Sequence, residues 1–204
     1  MSLDGRELPP AEGGAELVLP SEPSVLPQAA MRQRFLRAGW EFLHDLSVAV
    51  LFCFFLIAFV AQAFRVQGTS MEPLLLDGER IVVNKFVYRF RPIERGDVVV
   101  FWYPKEPSVS FVKRVVGLPG DVIQIKSGEL MVNGVLAKEE YLPSSFKDND
   151  DLPPTEVKKG FYFVLGDHRR SSNDSRAWGE VPEKYIYGRA VFRFWPLARM
   201  GPIH

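Results

Sequence analysis

The longest apolar segment of the chain covers residues 46–64, nineteen positions without a charged side chain. Val, Leu, Phe and Ala occur on every face of the helix that this segment would form, so it lacks the amphipathic period of a helix packed on a soluble core. At 1.5 Å per residue the helix would be roughly 28 Å long, close to the thickness of the hydrocarbon core of a bilayer. The pattern predicts a single transmembrane helix over residues 46–64.

The polar sequence before this segment falls into two parts. Residues 1–30 contain five Pro and five acidic residues against one Arg, a mixture that buries little apolar area and predicts a disordered tail. Residues 31–45 form a basic segment with three Arg, whereas only Arg65 directly follows the apolar run. Because Lys and Arg accumulate on the cytosolic side of a membrane anchor, the tail is predicted to be cytosolic and the following domain extracytoplasmic.

A cleaved signal peptide is the alternative interpretation of the same apolar segment. The tripeptide Ala61-Gln62-Ala63 has the small residues and the spacing of a cleavage site. However, about 45 residues precede the apolar run, and the run exceeds the roughly 7–15 residues usual in signal peptides. Both observations favour an uncleaved anchor.

From residue 65 onward the apolar residues occur in short runs rich in β-branched and aromatic side chains. These runs predict strands at residues 81–83, 97–103, 110–116, 122–125, 130–132, 161–165 and 190–195. No amphipathic helices separate the strands, so the pattern predicts a mainly β domain, an antiparallel sheet over residues 65–204. Within it, residues 121–159 are predicted to be a small inserted hairpin and loop region, with a surface loop at 147–159.

Charge, cysteine and histidine content exclude some classes of protein. Lys and Arg together number 25, as do Asp and Glu, so the chain has no overall basic field that would indicate nucleic-acid binding. The single Cys53 lies inside the apolar segment, and the three His are scattered along the chain. The sequence therefore predicts neither an intrachain disulfide nor a metal site, and no cofactor.

Ser70 is the candidate nucleophile, in the run Ser70-Met71-Glu72-Pro73 six residues after the apolar segment. Taken alone, such a run also fits an ordinary turn in which Ser caps the local backbone and Pro fixes φ. The one His that could reach a site outside the membrane is His168, which follows Asp167. A Ser–His–Asp triad is disfavoured because adjacent residues rarely achieve its geometry, so Ser70 needs another base.

Lys113 is the candidate base because its neighbours in sequence are apolar: Phe111, Val112, Val115 and Val116. A Lys in an alternating strand is usually a solvated outward residue, which is the alternative here. Burial would instead lower its pKa from about 10.4, by up to 3–5 units when burial is complete. The neutral amine that results could accept a proton near pH 7.

Three segments together resemble the signature boxes of the bacterial type I signal peptidases, a family of Ser/Lys serine endopeptidases. Residues 66–75, Val-Gln-Gly-Thr-Ser-Met-Glu-Pro-Leu-Leu, are similar to the nucleophile box. Residues 113–121, Lys-Arg-Val-Val-Gly-Leu-Pro-Gly-Asp, are similar to the lysine box, and residues 166–176 resemble the third box. The boxes occur in the family order, and the likeness covers the anchor and essentially everything from Phe64 onward. One departure is His168, where the family usually has Asn.

The resemblance implies a role for each matched residue. Ser70 would attack the scissile carbonyl, and Lys113 would take the proton of Ser70 and later give it to the leaving amine. The third box would position the lysine and brace the site through Ser172, Asp174, Arg176 and Gly166. Of these, the serine would hydrogen-bond the lysine, the Asp and Arg would form an ion pair, and the glycine would permit close backbone approach.

The same resemblance implies an oxyanion hole and a substrate groove. The hole would use the backbone N–H of Ser70, with Thr69 or Gly68 as neighbouring contributors, because Gly68 replaces a Ser that helps hold the oxyanion in some members. Two shallow apolar pockets would accept small side chains at the first and third positions before the cut, an Ala-x-Ala preference. The pocket residues would be Phe64, Val66, Met71, Leu75, Ile81, Phe111 and Val112. The alternative, weighed equally for Leu75 and Ile81, is that they are core residues.

The implied partners are exported preproteins and the lipid bilayer, without nucleic acid, and the implied location is the bacterial inner membrane, crossed once. Two other classes explain part of the sequence. Self-cleaving repressor-like proteases share a Ser-Met motif and a Ser/Lys pair, but they carry a helix-turn-helix domain and no anchor. A non-catalytic β domain tethered to the membrane for binding would explain the anchor and the strands, but not three boxes in order.

Overall fold

A long helix, α1 (Gln28–Phe59), begins the part of the chain that the computed structural model describes, residues 28–59 and 61–204. Large apolar side chains along it, such as Leu51 and Phe54, are exposed. Its segment Arg37–Phe55 is long and apolar enough to cross a membrane, and no other helix among the described residues is. The prediction of one apolar N-terminal helix is confirmed.

The bounds of this helix differ from the predicted residues 46–64. Its start lies further upstream, where Ala, Met, Gln, Leu and Arg are good helix formers. Its end comes earlier because residues 61–65 form a strand that pairs with residues 80–84. The Ala61-Gln62-Ala63 tripeptide therefore lies in a β ladder rather than in the helix. The disordered tail is predicted for residues 1–30; residues 28–30 belong to α1 instead, and residues 1–27 lie outside the described residues.

Residues 61–204 contain twelve strands, which form two antiparallel sheets. In chain order the strands are β1 (Ala61–Arg65), β2 (Arg80–Asn84), β3 (Val98–Tyr103), β4 (Glu106–Gly117), β5 (Val122–Lys126), β6 (Glu129–Val132), β7 (Val135–Leu136), β8 (Leu152–Glu156), β9 (Phe161–Leu165), β10 (Val181–Pro182), β11 (Ile186–Trp195) and β12 (Gly201–Pro202). The one further α-helix in this part of the chain is the short α2 (Ser175–Trp178). The predicted mainly β, antiparallel fold is confirmed.

The larger sheet has the order β1-β2-β11-β3-β4-β9-β10, with β12 paired to β11. Strand β1 is therefore an edge strand. Strand β4 pairs with β3 over most of its length, but with β9 only from Arg114 to Gly117. The first part of β4 consequently keeps one edge unpaired among the described residues, as β1 does.

The smaller sheet, with the order β7-β6-β5-β8, corresponds to the predicted inserted region at residues 121–159. The prediction of a surface loop at 147–159 is wrong for Leu152–Glu156, which form β8. Pro153 and Pro154 obscured this strand in the sequence, because Pro cannot donate to a ladder. They are tolerated because β8 is an edge strand.

Three clusters of buried apolar side chains hold these layers together. One lies beneath the loop that follows β1 and includes Met71, Leu75 and Ile81. A second packs between β3, β4 and β9, and the third joins the smaller sheet to β4 and β9 through Ile123 and Phe163. The inserted sheet is thus fixed to the same strand, β4, that carries Lys113.

Candidate active site

A groove of about 400 Å³ lies between two chain segments, residues 64–70 and 110–113. The first segment is the end of edge strand β1 with the loop after it, and the second is the part of β4 that β9 does not cover. Both segments run in the N-to-C direction toward Ser70 and Lys113. An extended peptide added to such an unpaired edge could use its backbone hydrogen-bonding groups.

The loop that carries Ser70 is fixed by backbone hydrogen bonds. The Ser70 carbonyl accepts from the N–H of His168 at 3.0 Å, which joins the loop to the third box. Two buried or half-buried guanidinium groups hold the following turn, since Arg193 donates to the Leu74 carbonyl at 2.7 Å and Arg199 to the Pro73 carbonyl at 3.0 Å. These contacts, at Ser70 and in the turn that follows it, fix the position of the Ser70 hydroxyl.

The two residues at the head of the groove are joined directly. Lys113 Nζ donates to Ser70 Oγ at 2.6 Å, although the residues are 43 positions apart in sequence. The register of β3 and β4 pairs Lys113 with Val99, which places the lysine near the end of the unpaired β4 edge. Only 4% of Lys113 is exposed.

Burial controls the protonation of this amine. Desolvation lowers the pKa of Lys113 to about 8, against the carboxylates of Asp174 and Asp167, which raise it. The desolvation effect is the larger because the charged ammonium loses its hydration. An amine with this pKa is partly neutral near neutral pH, and at 2.6 Å it can accept the proton of a hydroxyl group.

Gly166 lies where the third box meets the nucleophile loop. A Cβ at this position would be 2.1 Å from Ser172 Oγ and 2.5 Å from the carbonyl oxygen of Ser70, so only Gly fits. Ser172 Oγ is buried and has no hydrogen-bond partner among the described residues. The hydrogen bond from Ser172 to the lysine that the resemblance implied is thus absent from this arrangement, because Lys113 Nζ is directed at Ser70 instead.

Asp174 and Arg176 form a buried pair. The Asp174 carboxylate is fully buried and accepts from Arg176 Nε and Nη2, both at 2.9 Å. It also accepts from the Gly166 N–H at 3.1 Å and caps α2 through the Arg176 N–H. Two hydrogen bonds in a fork give the pair a fixed geometry, unlike a solvated surface contact.

Carboxylates from the segment that joins β7 to β8 in the inserted region hold the third box from outside. Asp148 and Asp150 both contact Arg176 Nη1, Asp150 at 3.0 Å. Glu139 pairs with Arg169, and the two side chains are 4% and 2% exposed. Arg169 in turn donates to the Gly166 carbonyl at 3.0 Å. The inserted sheet is therefore tied to the third box through two arginines.

Groups available to an oxyanion differ along residues 68–70. The Gly68 N–H donates to Asp77 Oδ1 at 2.7 Å and is already occupied. The Ser70 N–H has no partner within residues 28–59 and 61–204. The Thr69 hydroxyl lies at the groove, 3.0 Å from the hydroxyl of Ser171.

Most of the predicted substrate-binding residues line the groove: Phe64, Val66, Ile81, Phe111 and Val112. Met71 and Leu75 do not, and both are in the core. The Leu75 N–H donates to the Met71 carbonyl at 2.8 Å, a helical turn that directs the two side chains to the same, inner side. This corrects the predicted place of Met71 in the groove and agrees with the alternative of a core position for Leu75.

Sequence reasoning missed part of the lining: Arg65, Gln67, Val100, Ser110, Ser171 and Asn173. Two of these could have been found by strand alternation. Ser110 is two positions before Val112 and so lies on the same face of β4, and Val100 in β3 is the direct partner of Val112.

His168 contacts Glu72 and Phe146 rather than the Ser70 hydroxyl. Its Nδ1 is 3.7 Å from Glu72 Oε2, and its ring packs edge-on against Phe146 at 4.8 Å between centroids. Among the described residues the hydrogen-bond partner of Ser70 Oγ is Lys113. The same part of the chain contains no cluster of His, Cys, Asp or Glu that could hold a metal ion.

Comparison with known proteins decides the family. Residues 39–195 match the family described as signal peptidase, peptidase S26. The chain belongs to the signal peptidase family. It is 38% identical to signal peptidase I of Leptolyngbya laminosa, over 80% of this chain and 83% of that protein. It is also 38% identical to signal peptidase IB of Staphylococcus aureus, over 78% of this chain and 90% of that protein.

Membership of the signal peptidase family makes the chain a serine peptidase, a hydrolase. A crystal structure of a signal peptidase I from Enterococcus faecalis aligns with a TM-score of 0.44 and 31% identity, over 48% of this chain and 97% of that one. The matched residues 39–195 contain the groove, the Ser70–Lys113 pair and the third box.

Proposed function

We propose that this signal peptidase removes N-terminal signal peptides from exported preproteins, with Ser70 as nucleophile and Lys113 as general base. The observation that carries the proposal is the 2.6 Å hydrogen bond from the buried Lys113 amine to Ser70 Oγ. The Lys113 pKa of about 8 supports its role as general base, because such a base works best when its pKa is close to the working pH.

The reaction proceeds in two steps. Ser70 Oγ attacks the carbonyl carbon before the cut as neutral Lys113 takes its proton, and the resulting ammonium protonates the leaving amine as the C–N bond breaks. The signal peptide is then an ester on Ser70, and Lys113 takes a proton from the water that hydrolyses it. The negative charge that develops on the substrate oxygen is held by the Ser70 N–H and the Thr69 hydroxyl. Gly68 is left out of this hole because Asp77 occupies its N–H.

The third box keeps the base in place. Gly166 packs between Ser172 and the Ser70 carbonyl of the nucleophile loop, and the pair Asp174–Arg176 fixes the box itself. Asp174 also favours the protonated lysine, so its charge holds the pKa of Lys113 from falling further.

The groove determines which residues precede the cut. Phe64, Val66, Ile81 and Val112 leave room for small side chains, and the preprotein binds as an added strand between β1 and β4. The preferred sequence is Ala-x-Ala. The exposed apolar helix α1 anchors the enzyme in the bilayer of the bacterial inner membrane, with the β domain outside the cytosol.

Cleavage of a purified preprotein by the full chain in detergent tests the proposal. Ser70→Ala is expected to abolish cleavage while the protein remains folded, because the Ser70 hydroxyl is the one in the groove that is hydrogen-bonded to the Lys113 amine among the described residues. A non-catalytic binding domain would behave differently, since Ser70→Ala would retain preprotein binding and the unaltered chain would release no signal peptide. Cleavage at the wild-type rate by Ser70→Ala would contradict the proposal.

A further inference from the structure

A group of aromatic rings, exposed at Trp102 and half-buried at Tyr185 and Tyr187, continues the groove at the end away from Ser70. The Trp102 ring lies 5.0 Å from that of Tyr187 and 6.5 Å from that of Tyr185, between centroids. We refer to Trp102, Tyr185 and Tyr187 as the aromatic ledge. Trp102 is 43% exposed, a large apolar area for one side chain to leave in water.

The ledge is continuous with the groove on both of its sides. On one side Phe64, a lining residue, packs against Tyr187 with 6.1 Å between ring centroids. On the other side Ser110, also a lining residue, is the direct partner of Trp102 in the β3–β4 ladder. Because alternate residues share a face, Trp102 lies on the same face as the lining residue Val100.

The length of the groove determines which substrate residues would meet the ledge. Ser110 and Lys113 are three positions apart, roughly 10 Å in a strand at about 3.3 Å per residue. A bound strand whose scissile carbonyl is at Ser70 therefore fills this length with the three residues before the cut. The fourth and earlier residues pass Phe64 and Ser110 and arrive over Trp102.

We propose that the aromatic ledge binds apolar side chains of the substrate at the fourth to sixth positions before the cut. The inference rests on the proposed function, which sets the direction of the bound chain. The expected ligand is the apolar segment that precedes the cleavage site in a signal peptide. Aromatic faces suit it because they offer a large apolar area, and the hydroxyl of Tyr187 already has a hydrogen-bond partner in Ser110.

Two soluble peptides, cleaved by the full chain in detergent, test the ledge. Both have Ala at the first and third positions before the cut; one has Leu and the other Ser at the fourth to sixth. Trp102→Ala is expected to lower kcat/KM about tenfold for the Leu peptide, mainly through KM, and to leave the Ser peptide within about twofold. Trp102→Phe should retain most of the preference for the Leu peptide.

Phe90→Ala is the matched control, because Phe90 is 80% exposed and lies outside the ledge and the groove. It should leave both peptides unaffected. Equal kcat/KM for the two peptides with the wild type, or an equal loss on both with Trp102→Ala, would overturn the ledge. A loss seen only in lipid vesicles, and equal for both peptides, would assign the surface to lipid instead and also overturn it. Failure of the proposed function is distinct, since neither peptide would then be cleaved by the wild type.

Discussion

At Lys113, burial and charge act in opposite directions on one amine. Desolvation lowers its pKa to about 8, while Asp174 and Asp167 raise it. The balance matters for a base: without the carboxylates the amine would bind protons too weakly, and without burial it would stay charged at neutral pH. The 2.6 Å contact places this amine beside the Ser70 hydroxyl, whose proton it is proposed to accept.

Substitution of Lys113 separates a base from a positive charge. Lys113→Arg is expected to be nearly as inactive as Lys113→Ala, because a guanidinium group cannot be deprotonated in a protein. In the wild type the acidic limb of kcat/KM should fall near pH 8, the pKa of Lys113. His168→Ala should keep that limb. Substantial activity in Lys113→Arg would reduce Lys113 to a charge, and loss of the limb with His168 would make the histidine the base.

The same burial predicts a stability cost that depends on pH. Folding lowers the pKa of Lys113 from 10.5 to about 8. At a pH where the amine is protonated in the unfolded chain, this shift costs about 3 kcal/mol of folding free energy. The cost is complete below about pH 8 and disappears between about pH 8 and 10.5, where the unfolded state binds more protons than the folded state. Lys113→Met should therefore be inactive but more stable by about 2–3 kcal/mol at pH 7.

Unfolding of the full chain in detergent at pH 7 and pH 10 measures this cost. The advantage of Lys113→Met over wild type should shrink at pH 10, whereas Ser70→Ala should show the wild-type pH dependence. A Lys113→Met protein that is less stable than wild type at pH 7 would show that the amine is not penalised by burial.

The sequence predicts which residues form the site better than it predicts how deeply each side chain is buried. The three boxes predicted that Ser70 and Lys113 would be partners, and the structure brings them to 2.6 Å. Met71 was expected in the groove and is in the core, as is Leu75, for which the groove and the core were weighed equally; their depth depends on a local turn that the sequence pattern does not specify. Ser172 is likewise in the expected neighbourhood, but its hydroxyl makes no hydrogen bond to any residue that the structure describes.

At the scale of elements, the differences from the sequence prediction come from long-range pairing. The apolar pattern runs on to residue 64, yet the helix ends at Phe59, because residues 61–65 gain a partner in β2. The sequence pattern predicts a loop in place of strand β8, because its prolines are compatible with a strand only at a sheet edge. Both outcomes depend on segments distant in sequence, which local propensity does not record.

The tie between the inserted sheet and the third box gives an element-scale prediction. Glu139→Gln should lower the free energy of unfolding by about 3 kcal/mol, because it leaves the buried guanidinium of Arg169 without its counter-charge. Glu140→Gln is the matched control, since Glu140 is the adjacent and exposed carboxylate. Thermal unfolding of the full chain in detergent should show a Tm lower by roughly 6–12 °C for the first variant alone. Equal Tm values would show that the ion pair does not secure the insert.

At the scale of the whole molecule, one chain combines an apolar helix with a β domain whose groove is bordered by two unpaired strand edges. An unpaired strand edge can pair with any extended chain, so most sheets cover their edges. An enzyme that binds its substrate as an added strand needs such an edge to remain accessible. The fold class followed from the sequence because alternation and turn residues are local signals. The edges did not, because strand order is set by the complete sheet.

The orientation of the chain in the membrane is the prediction at this scale. Arg32, Arg34 and Arg37 precede the apolar run and only Arg65 directly follows it, so the N-terminus should remain in the cytosol. Protease added to spheroplasts should digest the β domain and spare an N-terminal tag. Ser70→Ala, which is expected to be inactive, is the control, because it should keep the orientation without cleaving any protein itself. Changing the three upstream arginines to Gln should raise the fraction of inverted chains, whose β domain is protected until the membrane is opened. Protection of the β domain in the wild type would contradict an extracytoplasmic site, and with it any access of the Ser70 groove to preproteins that have crossed the membrane.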